Sequence, residues 1–256
     1  MEAAMTTDAP ATAAPSSTPR LSPLARTARI FTGPAGAWVG LREQSAWGFP
    51  LLLGLALWVV LQLVAYDRVT VPTMLDQWAE AVENGRLEAA QEQQLGRFFT
   101  ESPAARWIVV GQQALAWPIL ALLQALVLWF GIGFVLGTKL RFGAAMDVVC
   151  WSGLVKLPQL LLFFGLAFAR QSYVGVHLGL GVLIPEGDAP NKLLSGLRTF
   201  LDLIGPFEAW WLFVAVLGAA ALSGAPRRSV AWVVVALYLA LGAFLAAVGA
   251  YFGSGM

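Results

Sequence analysis

The sequence predicts an all-α integral membrane protein with five transmembrane helices and amphipathic surface helices. Three observations predict it. Of 256 residues, 58% are hydrophobic and only 12% charged, with a mean hydropathy of +0.70; a soluble domain carries about a quarter charged residues. Five stretches hold the roughly 20 apolar residues that a helix needs to cross a hydrocarbon core of about 30 Å. Between them, apolar residues recur at helical spacing beside charges, the pattern of helices with one wet face.

The chain divides into a tail, 1–23, and a membrane domain, 24–254. The tail is rich in Ala, Thr, Pro and Ser. It cannot bury enough apolar surface to offset the entropy of ordering and is expected to be disordered. The first 29 residues hold no apolar core of the kind a signal peptide needs, so none is expected. In 24–31, Arg26 and Arg29 alternate with apolar residues, which suits a membrane-surface helix or a solvated linker. A short helix is expected to start at Pro34 and to carry Trp38, Val39 and Leu41 on one side.

The first span, 48–66, has Gln62 as its one strongly polar residue. The second, 113–137, belongs to a longer apolar run that Pro118 divides, predicting tilt or a kink. The third, 144–169, is interrupted by Asp147, Lys156 and Pro158. The fourth, 206–222, opens on a proline suited to a first helical turn, and the fifth, 230–252, has no charge. Residues 67–106 form a polar helical insert with two amphipathic helices. Met74, Leu75, Trp78 and Val82 mark the first; Leu95, Phe98 and Phe99 mark the second. Residues 174–183 are too short to span. Beyond them Leu193, Leu197, Phe200, Leu201 and Ile204 predict an interfacial helix, with Lys192, Ser195, Arg198 and Asp202 on its wet side.

Orientation follows from the basic residues. With the N-terminus cytoplasmic, eight basic residues fall in 41 inside positions, against seven in 76 outside positions, where ten acids accompany them. This bias favours a cytoplasmic N-terminus, an extracytoplasmic insert and an extracytoplasmic C-terminus.

Ionisable residues within a bilayer are costly and often mark function. Asp147, near the start of its span, suits an interfacial carboxylate facing water. Lys156 lies about 18 Å into the span. It is expected either to pair with Glu208 on the next span or to snorkel outward. Gln112, Gln113, Gln124 and Gln159 could line a polar path, or join helices by hydrogen bonds. Gly133 with Gly137, and Gly249 with Gly253, have the spacing that permits close helix contact. One histidine, His177, and one cysteine, Cys150, allow neither a His cluster nor an intrachain disulfide. The chain contains no GxSxG, HExxH, P-loop or CxxC motif. No catalytic residue, metal or cofactor is expected. A net charge of +1 gives no reason to expect nucleic acid. The expected partner is the lipid bilayer, with a protein partner or a second copy left open.

Several stretches resemble a known family. Arg29-Ile-Phe-Thr-Gly-Pro-Ala-Gly-Ala-Trp38, with Ala46-Trp-Gly-Phe-Pro-Leu51, resembles the opening of the Ypt-interacting-protein (Yip) domain. Phe98-Phe-Thr-Glu-Ser-Pro103 is similar to the end of the helical insert in bacterial members. Lys139 to Phe142, with Val148-Val-Cys-Trp-Ser152 and Leu157-Pro158, resembles the start of the third span. Phe207-Glu-Ala-Trp-Trp-Leu212 through Gly218, then 223–230, resembles the fourth span and last turn. The likeness covers residues 27–254. It implies five spans, a cytoplasmic N-terminus and a non-catalytic membrane-organising or protein-interaction role. Eukaryotic members are associated with small GTPases and vesicle traffic, a partner not carried across here. With 13 Arg against 3 Lys, the chain suits a prokaryotic member in the cytoplasmic membrane. Lys156 departs from the family pattern. The alternative reading is a small-solute or ion transporter or channel component using Lys156 and Glu208, although five spans do not divide into two equal inverted repeats.

Overall fold

The computed structural model describes residues 21–184 and 192–252, and no strand occurs among them. Five helical stretches are long and apolar enough to cross a membrane: Gly48–Glu83, Pro103–Leu136, Phe142–Arg170, Pro206–Ser223 and Arg227–Val248. Of the expected tail, residues 1–20 lie outside the described residues.

The first two spans are much longer than a bilayer requires. Helix α2 (Gly48–Ala65) runs through a π turn (Tyr66–Thr70) directly into α3 (Val71–Glu83). Together they make 36 helical residues, about 54 Å at 1.5 Å per residue. A turn with Gly85 at φ +67° reverses the chain into α4 (Ala89–Glu101). The two apolar edges read from the sequence face each other: Trp78 packs on Phe99 with ring centroids 5.3 Å apart, and the Leu75 side chain lies against Gly96. Helix α5 (Pro103–Leu136) contains Pro118 without ending there. It stops at Gly137, whose φ of 63° is the left-handed conformation that glycine adopts at low cost.

Helix α6 (Phe142–Gly153) is the hub. Every residue from 144 to 152 is buried. Small residues at its start let α5, α2 and α9 (Pro206–Ser223) close around it, and a helix apolar on all sides needs such a position. After it the third span continues as α7 (Leu157–Arg170). Helix α10 (Arg227–Phe252) packs on α5, α9 and α8 (Lys192–Asp202). The outer face of α5 leaves Leu122, Leu126, Phe130 and Phe134 exposed, an apolar surface suited to lipid rather than water.

Two surface elements differ from expectation. Helix α1 (Pro23–Thr32) does not offer Arg26 to a membrane surface. Its guanidinium is buried, donates to Ala37 O at 2.8 Å and Val39 O at 3.2 Å, and lies 5.3 Å above the Trp151 ring. Burial lowers its pKa below the ordinary guanidinium value, and the Asp147 charge works in the opposite direction. The helix expected from Pro34 is only a 3₁₀ turn, Pro34–Gly36. Trp38 and Leu41 turn inward while Val39 is exposed. Satisfying Arg26 requires the carbonyls of residues 37 and 39, which a regular helix would have used itself. In α8, Arg198 donates to Ile184 O at 3.1 Å, and Asp202 Oδ2 contacts His177 Nδ1 at 2.8 Å. The side expected to be wet therefore holds the 177–184 segment, and Leu193 is exposed.

The Trp38 indole lies against Gly218 of α9, where an added Cβ would fall 2.5 Å from the ring. Gly218→Ala is expected to destabilise the protein by about 1–3 kcal/mol through overpacking. Gly111→Ala, in open space within α5, should be neutral or stabilising by up to about 1 kcal/mol. Thermal unfolding of both variants in one detergent checks the contrast; equal losses would remove the Trp38 contact from the account.

Candidate functional site

The third span breaks at its only lysine. Pro158 has no N–H to offer the carbonyl of Leu154, four residues back. The Leu157 N–H bonds that carbonyl instead, closing a 3₁₀ turn over Leu154–Lys156. Just before the break, the Ser152 hydroxyl donates to Val148 O at 2.6 Å, a back-bond that also favours bending. The turn projects Lys156 toward α9, where its ammonium lies 4.9 Å from the centre of the Trp211 ring. That distance is within reach of a cation–π attraction.

Glu208 is buried at 5% exposure, one helical turn before Trp211. Its Oε1 accepts from Gln159 Nε2 at 2.6 Å, and its Oε2 is buried with no hydrogen-bond partner. The expected Lys156–Glu208 ion pair is therefore not a direct contact, although the two charges still interact through space. Register explains the difference. Lys156 and Gln159 are three residues apart on one helix face, as are Glu208 and Trp211 on the antiparallel partner. The pairing that forms is Gln159 to Glu208 and Lys156 to Trp211.

Lys156 lines three adjoining cavities. The lower, about 80 Å³, includes Gln124, Ser152, Trp211 and Tyr238. The middle, about 200 Å³, lies between α2, α5 and α6 and includes Gly54, Trp117 and Gln124. The upper, about 340 Å³, includes Trp58, Trp117, Gln159, Phe163, His177 and Asp202. Trp58 and Trp117 stack with centroids 5.5 Å apart. Thus Lys156, Gln124 and Gln159 come together.

The remaining candidates lie elsewhere. Asp147 does not face water: it has 0% exposure and accepts from the Ser45 hydroxyl at 2.7 Å and the Ala46 N–H at 2.8 Å. The 37–47 loop folds over the start of α6 and uses the carboxylate as its anchor. Gln113 accepts from Gln62, whose Oε1 in turn accepts from the Tyr173 hydroxyl at 3.3 Å. Gln112 is exposed on the outer side of α5. Gly133 and Gly137 make no close helix contact: Gly137 ends α5, and the nearest neighbour of a Cβ on Gly133 would be Thr138 O at 3.7 Å. The close approach is at Gly131, against Leu237. Gly253 lies outside the described residues, and so do the surroundings of Gly249.

Sequence reasoning missed the His177–Asp202 contact and the Trp58–Trp117 stack. The glycines of 175–181 were the available signal. Asp202 lies so close to Gly179 and Gly181 that a side chain at either position would collide with it.

Gln159→Leu leaves the Glu208 carboxylate buried without its donor and should cost about 1.5–3 kcal/mol. Adding Glu208→Gln should recover much of that loss. In double-mutant cycles on thermal stability, the Gln159–Glu208 coupling is expected to exceed about 1 kcal/mol and to be larger than the Lys156–Glu208 coupling. The reverse order would restore the ion pair.

Comparison of the chain with family models, with curated proteins and with solved structures finds no match in any of the three.

Proposed function

We propose that the protein is a non-catalytic integral membrane protein of Yip type, with a membrane-organising or protein-interaction role in the cytoplasmic membrane of a prokaryote. One observation carries this reading. Stretches far apart in the chain that bear the resemblance pack against one another around α6 and α9. Phe31 packs edge-on against Trp210 at 5.6 Å, Trp38 covers Gly218, and Phe49 stacks on Trp151 at 6.0 Å. The motifs thus serve one packed unit rather than separate sites.

The end of the bundle where α9 stops is rich in arginine. Arg42 donates to Ala221 O at 2.7 Å, near the last turn of α9, and Arg141 donates to Arg42 O. A cation there suits the negative end of the helix dipole. The basic-residue bias supports placing this end in the cytoplasm, with the α3–α4 hairpin and the C-terminus outside.

A second reading has its own observation in favour. A span broken at a charged residue beside cavities is the construction of many transporter sites, which supports a small-solute or ion transporter or channel component using Lys156 and Glu208. Purification from native membranes in mild detergent, run beside a proteoliposome flux assay, separates the two. A stable protein partner without flux supports the organising role, and saturable flux that Lys156→Met abolishes supports transport.

Topology has its own test. A reporter fused after Met256 should behave as extracytoplasmic, and one inserted between Lys139 and Arg141 as cytoplasmic. Both reporters on one side would reject the five-span orientation.

A further inference from the structure

Three adjoining cavities share one charged group, the Lys156 ammonium, and their walls are otherwise mostly apolar. The nearby carboxylates are directed elsewhere. Glu208 lines none of the three; its Oε1 holds Gln159, and its Oε2 lies beside Gly205. Asp202 reaches the upper cavity, but its Oδ2 holds His177 and its Oδ1 is buried against Gly181. Among the described residues the Lys156 ammonium lies against the face of Trp211, and the Glu208 carboxylate acts on it through space without touching it. Within hydrocarbon such a charge calls for a counter-anion or water.

The cavities are placed within reach of the bilayer. Trp58, which lines the upper one, lies nine residues before Asp67 in a continuous helix, about 13 Å along its axis. The upper cavity therefore sits below the polar boundary marked by Asp67 and its ion-pair partner Arg106. Its volume of about 340 Å³ falls within the roughly 300–1,000 Å³ of ligand sites, which likewise combine apolar walls with a few orienting polar groups. Trp58, Trp117, Leu160 and Phe163 supply those walls.

We propose that these cavities bind an anionic amphiphile of the bilayer, with its carboxylate or phosphate head on the Lys156 ammonium and its hydrocarbon chain against Trp58, Trp117, Leu160 and Phe163. Ammonium donation to an anionic oxygen is a short, charge-assisted hydrogen bond. Gln124, in the wall of the lower and middle cavities, can donate to a second oxygen of the same head. A neutral analogue forfeits the charge and leaves the ammonium unmatched. The inference goes beyond the organising role and does not depend on the family reading, because it needs only the embedded bundle.

The test uses the full chain in phosphatidylcholine nanodiscs, labelled by diazirine-bearing stearic acid, with the adducts mapped by mass spectrometry. Saturable adducts are expected on the peptides that contain Trp58 and residues 157–163. Unlabelled stearate and phosphatidylglycerol are the competitors, with methyl stearate as the neutral control. Competition by stearate alone assigns a fatty-acid carboxylate; competition by phosphatidylglycerol, with or without stearate, assigns a phospholipid head. Methyl stearate competing as well as stearate, or neither anion competing, overturns the proposal. Lys156→Met should weaken saturable labelling by about tenfold or more, the loss of one charge-assisted hydrogen bond, and Lys156→Arg should retain most of it. Unchanged labelling in Lys156→Met also overturns the proposal. Should that variant not fold, the competition series on the unaltered chain decides alone.

Discussion

The burial of α6 on every side is the constraint from which the rest of the bundle follows. Nine consecutive residues, 144–152, are buried. A charged group among them must find its partners inside the protein, because hydrocarbon offers none. Asp147 finds Ser45 and Ala46, and this draws the 37–47 loop across the helix start. With the loop in place, Arg26 can reach two of its carbonyls and cover Trp151. Trp38 is then directed onto Gly218. The Arg-rich end is thus assembled around one desolvated carboxylate, and α9 is held against α6 by the same contacts.

What could be read from the sequence was what depends on composition and local period. The five apolar stretches and the two edges of the insert both follow from side chains within a few residues of one another. What could not be read depends on contacts across the chain. From sequence Asp147 reads as interfacial because only three residues of the span precede it. The loop that covers it lies about 100 residues earlier, its hydrogen bond from Ala46 spanning 101 positions. In the same way the apolar stripe of α8 was visible, but the 177–184 segment that meets Arg198 and Asp202 was not. Close helix contact offers a third case. A Gly-xxx-Gly spacing points to Gly133 and Gly137, yet Gly131 and Gly218 approach a neighbour more closely than either. Facing is set by helix rotation, which spacing alone does not encode.

The candidate site shows how fine that limit is. The depth of Lys156 and the closeness of Glu208 were both legible, because each follows from counting residues along a helix. Their pairing was not, because sliding α9 along α7 by one turn, about 5.4 Å, decides whether Lys156 or Gln159 meets the carboxylate. Composition and period are blind to such a slide. Helix α9 has only 18 residues, about 27 Å, so its start lies level with Gln159 rather than with the end of α7. The chain between α7 and α9 must fill the space above it, which brings His177 and Asp202 to the rim of the upper cavity.

That register has a chemical consequence. Had Lys156 met Glu208 directly, both charges would have been neutralised in one buried pair, and Lys156 would have presented no net charge to the cavities. Because Gln159 takes the carboxylate, the acid is held by a neutral donor and its second oxygen is left against Gly205. The ammonium is left with an aromatic face, which attracts it without neutralising it.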